Sequence, residues 1–126
     1  MPSPNPNASR WLSNQPSALF FTTSISLSEI LYGIELLPIG KRRSPLLTTA
    51  EAMFSKLFSR RILVFDEPAA RSFAPIAVRR KERGRPITLF DAQIAAIASA
   101  HGAALATRNT ADFEGCGIRV VNPWVD

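Results

Sequence analysis

Apolar and polar positions along this chain alternate between two periods. Leu19-Phe-Phe-Thr-Thr is short, apolar and partly β-branched, the pattern of a buried strand. Behind it, Ile30, Leu31, Ile34 and Leu37 recur at helical spacing. Ser26-Leu-Ser-Glu29 has the form of a capping box that would start this helix, and Pro38 and Gly40 would end it. Residues 8–14 form a candidate short helix upstream. A further helix is predicted over 45–58, with Pro45 suited to its first turn, and Ile62-Leu-Val-Phe65 reads as a second strand. The next helix is predicted over 67–83, with a kink expected at Pro75. After a turn at Gly84-Arg-Pro86, Thr88 caps an apolar helix that carries Asp91 and ends at His101-Gly102. Residues 103–107 and 118–121 are the last strands.

The resulting order is strand, helix, helix, strand, helix, helix, strand, strand. Strands that alternate with helices predict an α/β layered fold with a mainly parallel sheet. In such folds ligands sit beyond the carboxyl ends of the strands. Glu29 and Asp112 follow strands closely, and Asp91 opens a helix that can face the same edge. At 126 residues, with no internal repeat, the chain reads as a single domain over 1–126.

Composition narrows the partners. Apolar residues make up 46% and charged residues 20%, ordinary for a globular protein. No apolar run approaches the roughly 18 residues that span a bilayer, and the N-terminus lacks the form of a secretory signal. Cys116 is the lone cysteine, so no internal disulfide forms, which fits a cytoplasmic location. The net charge is +5, with 12 Arg against 3 Lys. Arginine forks onto phosphate oxygens, and such a surface attracts polyanions without choosing between DNA and RNA. Arg79-Arg-Lys-Glu-Arg-Gly-Arg85 concentrates five of these charges just before the Asp91 helix. As a candidate RNA-binding run it offers Arg79, Arg80, Lys81, Arg83 and Arg85; as ordinary structure it is a solvated helix end.

Three acids stand out as candidate chemistry: Glu29, Asp91 and Asp112, the last two 21 residues apart. Magnesium and manganese take oxygen ligands and keep several waters, so two or three carboxylates on different elements suffice, with a substrate phosphate completing the shell. Each acid also has an ordinary explanation. Glu29 stands three residues after Ser26 and Asp91 three after Thr88, so both can belong to caps, and Asp112 can open a turn. Other chemistries find less. With a single Cys and a single His, zinc and thiolate catalysis lack partners. His101 reads as a helix C-terminal residue, and neither Gly84 nor Gly115-Cys-Gly117 forms a phosphate-cradling loop.

Together these segments resemble the PIN-domain family, in particular the VapC-type toxins of type II toxin–antitoxin systems and their FitB-like relatives. The likeness lies in Ser28-Glu29-Ile-Leu-Tyr32-Gly33 with Leu37-Pro38, and in Gly84-Arg-Pro86-Ile followed by Asp91-Ala-Gln-Ile-Ala. It continues in Ala106-Thr107-Arg-Asn109 with Asp112-Phe113 and in Val121-Asn-Pro-Trp124. The resemblance implies a PIN-like three-layer α/β fold and a Mg²⁺- or Mn²⁺-dependent endoribonuclease that hydrolyses RNA phosphodiesters. It also implies a cognate antitoxin protein as partner and a homodimer. By this likeness Glu29, Asp91 and Asp112 match acidic metal-binding and catalytic positions, and Thr107 and Asn109 match the polar positions beside the last acid.

One departure matters. The family opens with a central strand that ends in Asp-Thr-Asn, whose aspartate is a principal metal ligand, and no such segment is found here. Met1-Pro-Ser-Pro-Asn-Pro aligns with the loop after the helix that follows that strand. The expectation is therefore a truncated sheet and three acids in place of four, with weaker metal binding. The alternative function is an inactive remnant that only binds an antitoxin or a homologous subunit. A third is a FitB-type DNA-binding regulator; without a helix-turn-helix or zinc motif, its DNA contact would come from the antitoxin.

Overall fold

The computed structural model describes residues 21–122. The candidate helix over 8–14, the first residues of the first predicted strand and Trp124 of the closing motif lie outside them. The chain divides into two compact units, one whose described part is residues 21–64 and a second whose described part is residues 65–122.

In the first unit, strand β1 (Thr22–Thr23) runs straight into helix α1 (Ser24–Glu35). Helix α2 (Arg43–Ala52) continues into a π-helical turn, Met53–Leu57, which leads to strand β2 (Ile62–Leu63). β1 and β2 pair in parallel, Thr22 opposite Ile62 and Thr23 opposite Leu63. α1 packs on both β1 and α2. Ile34, Ala50 and Phe54 are the buried apolar side chains here, and the Phe54 and Phe58 rings lie 6.1 Å apart.

The start of α1 corrects the predicted capping box. Thr23, not Ser26, is the N-cap: its Oγ1 accepts the Ser26 backbone N–H at 2.9 Å and donates to Ser26 Oγ at 3.0 Å. Thr23 has extended backbone and is buried at the end of β1, so one residue both ends the strand and caps the helix. Glu29 therefore falls in the second turn of α1, beyond reach of the cap assigned to it.

In the second unit, helix α3 (Glu67–Glu82) and helix α4 (Leu89–Ala100) pack extensively on each other. Asp66 caps α3 through its carboxylate, which accepts the Ala69 N–H at 3.2 Å, and Pro68 occupies the first turn, where a missing N–H costs nothing. Pro75 lies inside α3, which continues through it to Glu82. Strand β3 (Leu105–Ala106) pairs in parallel with strand β4 (Val120–Val121), and a 3₁₀ turn (Thr110–Phe113) lies in the connection between them.

The core of this unit is α4 itself. Ala92, Ile94, Ala95, Ala96, Ile97 and Ala98 are all buried, so neighbours cover the helix nearly all round. Its alanines keep that approach close; Ala95, Ala96 and Ile97 have no exposed surface. Thr88 caps α4 as predicted, and His101 is the C-cap residue, its N–H donating to the Ile97 carbonyl at 3.2 Å. The order of elements across the described residues is the predicted one, with shorter strands. No helix among the described residues is long and apolar enough to cross a membrane.

Candidate active site

Asp91 is the third residue of α4. Thr88 Oγ1 accepts its backbone N–H at 3.2 Å, so the cap engages the Asp91 main chain and leaves the carboxylate out. Among the described residues no group donates to that carboxylate or pairs with it. It stands in the first turn, where the unpaired N–H groups make the helix end positive and favour an anion. Leu89 and Phe90, just before it, are about half-exposed or more, while Ala92 just after it is buried; Asp91 sits at the border of the core.

Asp112 lies in the 3₁₀ turn, and its main chain is held from both sides. Its N–H donates to the Asn109 carbonyl at 3.1 Å, and its carbonyl accepts from Arg80 Nη1 at 2.6 Å. Phe113, next in the chain, is buried and pins the turn. The Asp112 carboxylate is exposed and, among the described residues, unengaged. Thr107 Oγ1 accepts the Asn109 N–H at 3.1 Å, and the Thr107 N–H donates to Val121 at 2.9 Å. The polar pair Thr107 and Asn109 thus shapes the path from β3 into the Asp112 turn. α4 and that turn are in contact within this unit.

Glu29 belongs to the first unit, on α1, and is exposed. Among the described residues no three His, Cys, Asp or Glu side chains form a ready metal cage. The donors at Asp91 and Asp112 are carboxylate oxygens not committed to a described partner, which suits a hard divalent cation that keeps much of its water. They do not suit zinc, since Cys116 is buried and accepts from Arg80 Nη1 at 3.6 Å, and His101 closes a helix at the far end of α4 from Asp91.

The basic run behaves differently from a solvated helix end, and Arg80 is the correction. It is 5% exposed. Its Nε donates to the Arg85 carbonyl at 2.7 Å, and its Nη1 to the carbonyls of Asp112 at 2.6 Å and Glu114 at 3.0 Å. Arg85 faces the same turn: Nη1 pairs with the Glu114 carboxylate at 2.8 Å and Nη2 donates to the Ala111 carbonyl at 3.3 Å. That guanidinium holds the Glu114 carboxyl below its ordinary range, by hydrogen bond first and by charge second. Arg83 and Arg79 pass over the glycines that follow. A Cβ at Gly115 would stand 2.9 Å from Arg83 Nη1, and one at Gly117 would stand 3.3 Å from Arg79 Nη1. Both glycines also have positive φ, so a side chain there would be strained.

Sequence reasoning missed Arg80, although a signal was present. Ala69, Ile76 and Arg80 are the buried residues of α3, and with Phe73 they repeat at intervals of four, three and four. Arg80 occupies the place where the apolar stripe of the helix asks for its next member.

The matches to known proteins agree with this architecture. The model of the PIN domain family matches residues 2–115. The VapC ribonuclease Y4jK of Sinorhizobium fredii is 35% identical over 114 residues, 90% of this chain and 81% of the relative. Toxin FitB of Neisseria gonorrhoeae is 36% identical over 125 residues, 99% of this chain and 90% of the relative. The solved structure of FitAB bound to an IR36 DNA fragment superimposes with a TM-score of 0.90 at 35% identity, covering 98% of this chain and 87% of that one. This chain belongs to the PIN domain family and has its α/β fold.

Proposed function

We propose that this chain is a metal-dependent endoribonuclease toxin of a toxin–antitoxin pair, with Mg²⁺ or Mn²⁺ as cofactor and an RNA phosphodiester as substrate. The observation that carries it is the pair of acids on packed segments, Asp91 at the positive end of α4 and Asp112 on the 3₁₀ turn. Neither carboxylate is engaged by a described residue. The names of the relatives, a VapC ribonuclease and a toxin, supply the reaction class.

The chemistry of a bound divalent cation at such a site is activation of water and polarisation of the phosphoryl group. The protein's own contribution is placement. Thr88 fixes the first turn of α4 and with it the Asp91 main chain; Phe113 and the Asn109 carbonyl fix the Asp112 turn. Glu29 is assigned as the third acid from the family motif. Arg79, Lys81 and Arg83, exposed on the last turn of α3 and just after it, are the part of the basic run left to attract a polyanion. Arg80 and Arg85 are engaged with the Asp112 turn.

The test is cleavage of a defined RNA in Mn²⁺ and in Mg²⁺. The expected outcome is cutting that stops with chelator and falls at least about a hundredfold in Asp91→Ala and in Asp112→Ala, since each removes a charge that positions the reaction. Equal cutting by Asp91→Ala overturns the assignment. The antitoxin is expected to be the product of a neighbouring gene, to co-purify with this chain and to silence the cleavage. A second role, favoured by the relative solved on DNA, is attachment to an operator through that partner. It predicts a mobility shift of promoter DNA only when both proteins are present.

A further inference from the structure

Arg80 is the one charged side chain among the described residues that is buried, and nothing in the proposed reaction requires a cation there. Burying an arginine is costly, because guanidinium stays protonated and loses its water. Here the cost is offset locally. Three backbone carbonyls and the Cys116 sulfur accept its N–H groups. It also sits in the last turn of α3, where the helix end is negative.

The carbonyls it selects belong to two segments far apart in sequence. One is Arg85, in the turn six residues ahead of Asp91; the others are Asp112 itself and Glu114. A single planar group therefore ties the entry to α4 to the turn that carries Asp112. Arg85 repeats the link on the outside, from the same entry segment to Ala111 and Glu114. We propose that Arg80 is a positioning residue that sets the spacing of Asp91 and Asp112 for a divalent cation. The proposal rests on the metal site argued above. Lysine cannot replace it, because one ammonium nitrogen cannot reach both segments as the two sides of a guanidinium do.

The test is Mn²⁺ titration of the full chain by calorimetry, with thermal denaturation alongside. Arg80→Lys is expected to weaken Mn²⁺ binding by about tenfold or more, the usual effect of losing a group that orients a metal ligand. Ile76→Val, which trims a buried residue of the same helix, supplies a destabilised control with Mn²⁺ affinity unchanged. Arg85→Ala removes the half-exposed link and folds without a buried charge to compensate; a weakening of about threefold is expected there, a share of the same orienting effect. If Arg80→Lys does not fold, Arg85→Ala decides. Mn²⁺ affinity that stays at the wild-type value in the folded variants overturns the positioning role. Asp112→Asn separates the two ideas: if it too leaves binding unchanged, the metal site itself falls and the inference with it.

Discussion

The two units of this chain solve the burial problem differently. In residues 65–122, α4 is covered almost all round and its small apolar side chains vanish from the surface. In residues 21–64, Ile34, Ala50 and Phe54 are buried, but Tyr32 and Leu36 are about two-thirds exposed and Ile39 is 90% exposed. The first arrangement gives a rigid frame, since close-packed interiors resist small displacements. Asp91 begins the most buried helix, and Asp112 precedes the buried Phe113, so these two acids inherit that rigidity. The second leaves these apolar side chains in water. The contrast is one of core packing, since the unit of residues 65–122 also exposes Leu89 and Phe90 at the start of α4 and Val78 on α3.

The largest test of this contrast is Ile97→Ala. Ile97 is the largest side chain with no exposed surface, and the neighbours that close round α4 have little freedom to collapse into the gap. The expected loss is about 3 kcal/mol, read from urea denaturation. Ile39→Ser at the other extreme is expected to change stability by no more than about 0.5 kcal/mol, because folding leaves Ile39 in water. Comparable losses in the two variants would show that the contrast between the units is not energetic.

A smaller effect sharpens the link between frame and chemistry. Thr88→Ala removes the side chain that accepts the Asp91 N–H, and Thr23→Ala removes the corresponding cap of α1. Each is expected to cost about 1 kcal/mol. Only Thr88→Ala is expected also to weaken Mn²⁺ binding, since it loosens the turn that aims Asp91. Equal effects of both on Mn²⁺ would mean that cap loss acts through global stability alone.

The order of elements, the Thr88 cap and the identity of α4 as a core helix could be read from sequence, because periodicity and capping chemistry are local. The start of α1 could not. Thr23, Ser24, Ser26 and Ser28 all carry capping hydroxyls, and only pairing of β1 with β2 decides that Thr23 is the last extended residue. The same holds for the arginines. A run of five basic residues looks solvated, yet Arg80 turns inward because carbonyls 32 and 34 residues away in sequence come within its reach. Long-range acceptors leave no mark in a local pattern, except that Arg80 continues the buried stripe of α3.

The smallest effect concerns the outer link to the Asp112 turn. Arg85 holds the Glu114 carboxyl below its ordinary value of 4.5, so the folded protein binds this proton less readily than the unfolded chain. The resulting stabilisation is fully present above about pH 4.5 and is lost as pH falls through the depressed folded value. Glu114 is solvent-exposed, so salt screens the pair and the effect is small. The wild-type protein is expected to melt slightly above Glu114→Gln at pH 7, with the gap closing on acidification and shrinking in 1 M salt, where the Debye length is about threefold shorter than at 0.1 M. A gap that persists once the Glu114 carboxyl is protonated in the folded protein would show that Glu114 supports the turn through packing. Arg85 would then hold the Asp112 turn through the Ala111 carbonyl alone, and the outer link would be independent of pH.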